Sequence, residues 1–185
     1  MIQLFIGGVR SGKSDAAEDL LLALCKKNLL KPTYVATSIA FGDETIERIK
    51  LHQQNRELRF AQPITTYELN YQELDLLSVL QSLDKAENIV LIECLSTWVG
   101  WYLSMNNTLQ ENLAVMAEQQ KMLLAFLKGA KCHVIIVTGE VGCGLIGETP
   151  LQRRYADQLG KLNQKVAALS DQVYLLTAGL KQQLK

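Results

Sequence analysis

Eight consecutive residues near the start of the chain, Gly7-Gly8-Val9-Arg10-Ser11-Gly12-Lys13-Ser14, have the spacing Gly-x4-Gly-Lys-Ser. An apolar run from Ile2 to Ile6 precedes them, and a helix-forming stretch, Ser14–Lys27, follows. Strand, glycine-rich loop and helix in that order form the context of a phosphate-binding loop, or P-loop. Glycines let successive backbone N–H groups turn inward around phosphate oxygens. The helix N-terminus adds partial positive charge. Lys13 is then placed to neutralise β- and γ-phosphate charge, and the Ser14 hydroxyl to take a position on Mg²⁺. A glycine-rich turn with no ligand is the alternative. The flanking strand and helix favour nucleotide binding over it.

Beyond the loop, short apolar runs alternate with helical patterns. Strands are expected at Gln3–Ile6, Thr33–Thr37, Asn88–Glu93, Val134–Thr138 and Gln172–Thr177. Continuous runs such as Ile89-Val90-Leu91-Ile92 suit strands covered on both faces. Helices are expected at Ser14–Lys27, Asp43–Arg56, Tyr71–Leu83, Leu109–Lys128 and Leu151–Ser170. In the last, Leu151, Tyr155, Leu159, Leu162, Val166 and Leu169 recur at three- and four-residue steps and form one stripe. Residues 57–66 have no clear period and read as a loop entering a short strand. The order predicts an α/β fold: an open, mostly parallel sheet of the P-loop NTPase type, with helices on both faces. Residues 1–185 are read as one nucleotide-binding domain.

In such a sheet ligands bind beyond the carboxyl ends of the strands. That rule gathers the P-loop, Ala36-Thr37-Ser38, Glu93 and Gly139-Glu140-Val141-Gly142 around one crevice. Glu93, ending its strand, suits a carboxylate that holds Mg²⁺ directly or through water. Lys and Arg total 19, as do Asp and Glu, so there is no basic excess for nucleic acid or a membrane surface. No apolar run approaches a membrane span, and no secretory signal is evident. Cys25, Cys94, Cys132 and Cys143 form no Cys-x2-Cys pair, and only two histidines, His52 and His133, accompany them. Reduced thiols in a cytoplasmic protein are expected, and zinc is not.

Glu44, Arg48, His52 and Arg56 follow one another at four-residue steps, so a helix would align them on one face. Spacing alone suits a solvated face laced with Glu–Arg pairs. The sharper reading makes His52 a nucleophile toward a nucleotide α-phosphate, with arginines one turn away holding phosphate oxygens. A histidine with the reference pKa near 6.5 is mostly neutral at pH 7, as attack requires.

Taken in order, these segments resemble the bifunctional adenosylcobinamide kinase / adenosylcobinamide-phosphate guanylyltransferase family. The matching segments include the Gly-Gly-x-Arg-Ser-Gly-Lys-Ser loop, Tyr34-Val35-Ala36-Thr37-Ser38, Arg48-Ile49-x-x-His52-x-x-x-Arg56 and Thr66-x-Glu68. They continue through Leu91-Ile92-Glu93-Cys94-Leu95-x-Thr97, Glu140-Val141-Gly142-x-Gly144 and Arg154-x-x-Asp157-x-x-Gly160-x-x-Asn163-Gln164. The resemblance implies that His52 is guanylylated by GTP and that the GMP passes to adenosylcobinamide phosphate. It also implies phosphorylation of adenosylcobinamide from ATP or GTP, with Mg²⁺. Thr37, Ser38, Glu68 and Glu93 would line the guanine nucleotide site, and the chain would form a homotrimer. The sequence departs from the family at Gly139 and Trp101, where Asn is usual, and at Gly147, where Pro is. It departs again at Ile64, where Trp is usual, and at Glu57, since Pro usually follows the arginine matching Arg56. The alternatives are a small-molecule P-loop kinase or NTPase with no covalent histidine step, and a nucleotide-binding regulatory module.

Overall fold

The computed structural model describes residues 1–38, 42–60, 64–105 and 107–185; within 42–60, the side chains of 42–45, 48, 52 and 55–57 lie outside the description. The elements in chain order are β1 (Ile2–Gly7), α1 (Lys13–Asn28), β2 (Lys31–Ala36), α2 (Gly42–Arg59), β3 (Thr65–Glu68), α3 (Leu76–Ser82) and β4 (Asn88–Glu93). Then come α4 (Leu95–Leu103), α5 (Leu109–Gly129), β5 (His133–Gly139), α6 (Pro150–Leu169), β6 (Gln172–Thr177) and β7 (Leu180–Gln183). The strands form one sheet in the order β3-β2-β4-β5-β1-β6-β7. Every neighbouring pair is parallel except β6 and β7.

Strand alternation divides the core into two. Leu4, Val90, Ile92, Val134 and Ile136 face α3, α4, α5 and α6, and pack with Leu80, Trp98, Met116 and Leu162. Their neighbours Phe5, Ile89, Leu91, Ile135 and Val137 face the other way and pack with Ala17 and Leu21 of α1. Helices thus cover both faces, as expected from the unbroken apolar runs of β4 and β5. Each fully buried aliphatic side chain stabilises the fold by roughly 1.5–3 kcal/mol.

Several boundaries differ from the sequence expectation, each for a local reason. The helix expected from Tyr71 begins only at Leu76. Asn70 Oδ1 accepts the N–H groups of Gln72, Glu73 and Leu74 at 3.1, 2.9 and 3.0 Å, which holds a turn there. Asp75 then caps α3, accepting the Ser78 N–H at 2.9 Å. Helix α2 runs one turn past Arg56, to Arg59, where a loop was expected. Glu57 follows Arg56 where Pro would remove a helical N–H and crowd the preceding turn. Helix α4 was not foreseen: Leu95, Trp98, Val99, Tyr102 and Leu103 are all buried, so its polar periodicity is weak. Strand β7 was missed as well. Ala178 and Gly179 have φ of 52° and 80°, the two left-handed residues of a tight hairpin turn that folds β7 back on β6.

Candidate active site

The phosphate-binding loop is held from both sides. The Glu140 N–H donates to Gly7 O at 2.9 Å, and the Gly179 N–H donates to Ser11 O at 3.1 Å. Gly7 cannot be replaced in place: a Cβ there would sit 2.3 Å from the Leu176 carbonyl oxygen on β6. Gly12 caps α1 with φ 89°, and Arg10 also enters the left-handed region at φ 56°. Left-handed residues interleaved with right-handed ones turn N–H groups into a shared concavity that suits an anion. Val9 and Arg10 project outward, whereas Ser11 is buried.

Lys13 folds back on its own loop. Its Nζ donates to Gly8 O and approaches Ser11 Oγ at 3.5 Å. Loss of hydration on burial lowers its pKa, while Cys94 and Glu93 pull it upward. Beside it, Ser14 Oγ donates to Glu93 Oε1 at 2.7 Å. Two residues 79 positions apart in sequence thus present adjacent oxygen donors at the mouth of the loop. Hydroxyl and carboxylate oxygens suit a hard divalent cation such as Mg²⁺.

Thr37 forms the floor of the crevice. It is buried, and its Oγ1 accepts the Cys94 N–H at 2.8 Å, lies 2.7 Å from Cys94 O and meets Thr97 Oγ1. Tyr71 Oη donates to the Thr37 carbonyl at 2.7 Å. Thr37 therefore braces the turn that carries Glu93. Ser38, the next residue, is half-buried. Glu68, at the end of β3, accepts from Gln53 Nε2 of α2 at 2.6 Å. His52 and Arg56 stand on α2 in the backbone, with their side chains outside the described residues, as are those of Glu44 and Arg48.

The sequence placed the Gly139–Gly142 turn at the crevice but gave no role to Leu145, Ile146 or Arg153 beside it. There Val141, Leu145, Ile146, Arg153, Arg154 and Asp157 line a cavity of about 430 Å³. Leu145 is 100% exposed and Ile146 is 85% exposed. Arg153 is committed to the wall, its Nη1 donating to Gly147 O and Glu148 O at 2.8 Å each. Leu145-Ile146, two large apolar residues among glycines, is the signal that could have marked this cavity.

A family model described as cobinamide kinase / cobinamide phosphate guanyltransferase matches residues 3–184. The chain belongs to that family. It is 32% identical to the bifunctional adenosylcobalamin biosynthesis protein CobU of Salmonella typhimurium, with all of both chains covered. It is 31% identical to the bifunctional adenosylcobalamin biosynthesis protein CobP of Pseudomonas aeruginosa, covering all of this chain and 98% of that one. Among solved structures, a KaiC-like protein from Pyrococcus horikoshii matches 94% of this chain and 69% of its own, at 13% identity and a TM-score of 0.49. The protein is thus an enzyme, a cobinamide kinase and guanylyltransferase of adenosylcobalamin biosynthesis.

One departure from the family pattern has a local explanation. The Gly139 N–H donates to Ser96 Oγ at 2.6 Å, and its carbonyl accepts from Asn163 Nδ2 at 2.9 Å. A Cβ at 139 would lie 2.9 Å from Ser96 Oγ. A side chain at 139 would require the Ser96 hydroxyl to turn away and give up its bond to the Gly139 N–H.

Proposed function

We propose that this cobinamide kinase and guanylyltransferase works through a GMP–histidine intermediate on His52. An imidazole nitrogen of His52 attacks the α-phosphorus of GTP, the bond to the β-phosphate oxygen breaks, and pyrophosphate leaves. The displaced imidazole proton passes to solvent. A phosphate oxygen of adenosylcobinamide phosphate then attacks the same phosphorus, the P–N bond breaks as the imidazole takes back a proton from solvent, and adenosylcobinamide-GDP departs. In the kinase reaction the adenosylcobinamide hydroxyl oxygen attacks the γ-phosphorus of ATP or GTP, the bond to the β-phosphate oxygen breaks, ADP or GDP leaves, and the hydroxyl proton passes to solvent. Catalysis in both halves is mainly electrostatic.

The observation that carries the nucleotide-binding part of this reading is the convergence of Lys13, Ser14 and Glu93 at the mouth of a braced phosphate loop. The family assignment supplies the second support. In the proposed site the N–H groups of residues 8 to 14 surround phosphate oxygens, and Lys13 moves from Gly8 O to the β- and γ-phosphates. Ser14 and Glu93 would hold Mg²⁺, which when bound spreads the charge of the phosphates. Thr37 and Ser38 border the guanine nucleotide, and Glu68 exchanges Gln53 for a hydroxyl of the nucleotide. Arg56 neutralises phosphate charge one turn from His52. The cavity beside Leu145 and Arg154 would receive the acceptor, apolar side chains meeting its ring and the arginine its phosphate.

Residues 1–185 would act as one domain within a homotrimer in the cytoplasm, with no nucleic-acid partner. The balanced charge supports the lack of a nucleic-acid partner, and four cysteines in no disulfide support a reducing compartment. Among the described residues no helix is long and apolar enough to cross a membrane.

The test is intact-protein mass spectrometry after incubation with GTP and Mg²⁺. A single added GMP is expected, discharged by adenosylcobinamide phosphate. An unmodified mass under conditions where GTP binds would favour a P-loop kinase with no covalent step. Glu93→Gln removes charge from the proposed cation site while keeping its shape. Both activities should fall roughly 10–100-fold, with the Mg²⁺ dependence displaced to higher concentration. An unaltered Mg²⁺ titration would take Glu93 out of the metal site.

A further inference from the structure

We propose that Arg59 is a positioning residue that sets the His52 helix against the phosphate-binding loop; this rests on His52 being the nucleophile. Arg59 is the last residue of α2. Its guanidinium meets three carboxylates of α1, the helix that begins at Lys13. Nη1 binds Asp15 Oδ1, Nη2 donates to Asp19 Oδ1 at 2.9 Å, and Nε lies 3.5 Å from Glu18 Oε2. Nη2 also reaches the Asp15 carbonyl at 3.2 Å. Among the described residues, every ion pair joining α2 to α1 is made by Arg59.

The three carboxylates are unequal. The side chains of Asp15 and Asp19 are 70% and 68% exposed, so they guide the guanidinium more than they stabilise it. The Glu18 side chain is only 8% exposed, and a carboxylate taken out of water needs cationic company. Phe60 follows Arg59 and is buried with Ala17 and Leu21 of α1 and Phe5 of β1. The end of α2 is thus fixed to α1 by a charged fork and an apolar anchor at adjacent residues.

Helical geometry carries this constraint to His52. Positions 52 and 59 are seven residues apart, which is within about 20° of two full turns, so they share a face of α2. Fixing Arg59 on α1 therefore sets the rotation of α2 about its axis at His52. The axial separation is about 10 Å, short enough for a rigid helix to transmit the setting. The Gln53–Glu68 bond ties α2 to β3, and among the described residues the ion pairs that set α2 against α1 come from Arg59. In-line attack on an α-phosphate held by the start of α1 demands such registration.

The experiment compares Arg59→Ala, Arg59→Lys and the wild type in two assays. These are the rate of GMP–protein formation by mass spectrometry and the rate of cobinamide phosphorylation. Misplacing a reacting group by an ångström costs up to about 100-fold, so Arg59→Ala should form adduct at least about tenfold more slowly, with phosphorylation close to wild type. Arg59→Lys should recover part of the loss, since it keeps the charge without the fork. Should Arg59→Ala fail to fold, the double variant Asp15→Asn, Asp19→Asn tests the same fork from its exposed side and should show the same split. Adduct formation at the wild-type rate in these variants overturns the proposal, as does an equal fall of both activities. A wild-type protein that never carries GMP would instead remove the nucleophile reading on which the proposal stands.

Discussion

His52→Ala should abolish transfer of GMP onto the protein while leaving GTP binding and cobinamide phosphorylation near wild type. The expected loss in guanylyl transfer is at least about three orders of magnitude, because removing a covalent nucleophile leaves only binding and charge stabilisation. Binding survives because the phosphate-loop contacts arise elsewhere. The loop is braced by Gly7 O with Glu140 N–H and by Ser11 O with Gly179 N–H, and neither bond involves α2. The bonds that join Lys13 to Gly8 and Ser14 to Glu93 also lie outside that helix. The measurement is a paired one: radiolabel retained from α-labelled GTP, and nucleotide affinity by calorimetry. Label retained by His52→Ala would send the search to another nucleophile. Loss of affinity in parallel with loss of label would make His52 a binding residue.

The phosphate loop and the sheet were legible because their signals are local. A Gly-x4-Gly-Lys-Ser run between strand and helix needs no tertiary information. The runs of β4 and β5 announce strands buried on both faces. What escaped was set by contacts between distant positions. The start of α3 depends on Asn70 taking three N–H groups into a turn, and helical spacing from Tyr71 onward conceals that competition. Helix α4 is buried nearly all round, so no polar face marks it. Strand β7 is four exposed residues whose pairing follows from two left-handed turn residues. At the site, Glu93 could be chosen from sequence as a strand-end carboxylate. Its bond to Ser14, 79 residues away, appears only when β4 and β1 are brought into one sheet with β5 between them. Arg59 was invisible for the same reason. Its three carboxylates lie 40 to 44 positions earlier, and it sits in a helical turn that was read as loop.

Lys13→Ala should weaken both reactions, a pattern opposite to the split expected for His52→Ala. Lys13 contributes charge where charge concentrates, at the β- and γ-phosphates. Removing one such stabilising group costs roughly 10²–10³-fold in turnover. Nucleotide affinity should fall as well, since a hydrogen bond to a charged group is worth roughly 1.5–3 kcal/mol. Lys13 itself sharpens this expectation. Its ammonium is held among Gly8 O, Ser11 Oγ and nearby Cys94 and Glu93, with a pKa lowered chiefly by burial. A lowered lysine pKa means the cation is lost at a lower pH than usual as the solution is made alkaline. Bound phosphates favour the cation and raise the pKa again. Nucleotide binding by the wild type should therefore take up protons on the alkaline side, and that uptake should vanish in Lys13→Ala. Calorimetry in buffers of different ionisation enthalpy measures it directly. Lys13→Arg would keep the charge but present a planar fork where the loop offers room for a compact ammonium, so it should recover affinity better than turnover. Unchanged adduct formation in Lys13→Ala, with phosphorylation lost, would assign the two reactions to different nucleotide sites and take guanylylation off this loop.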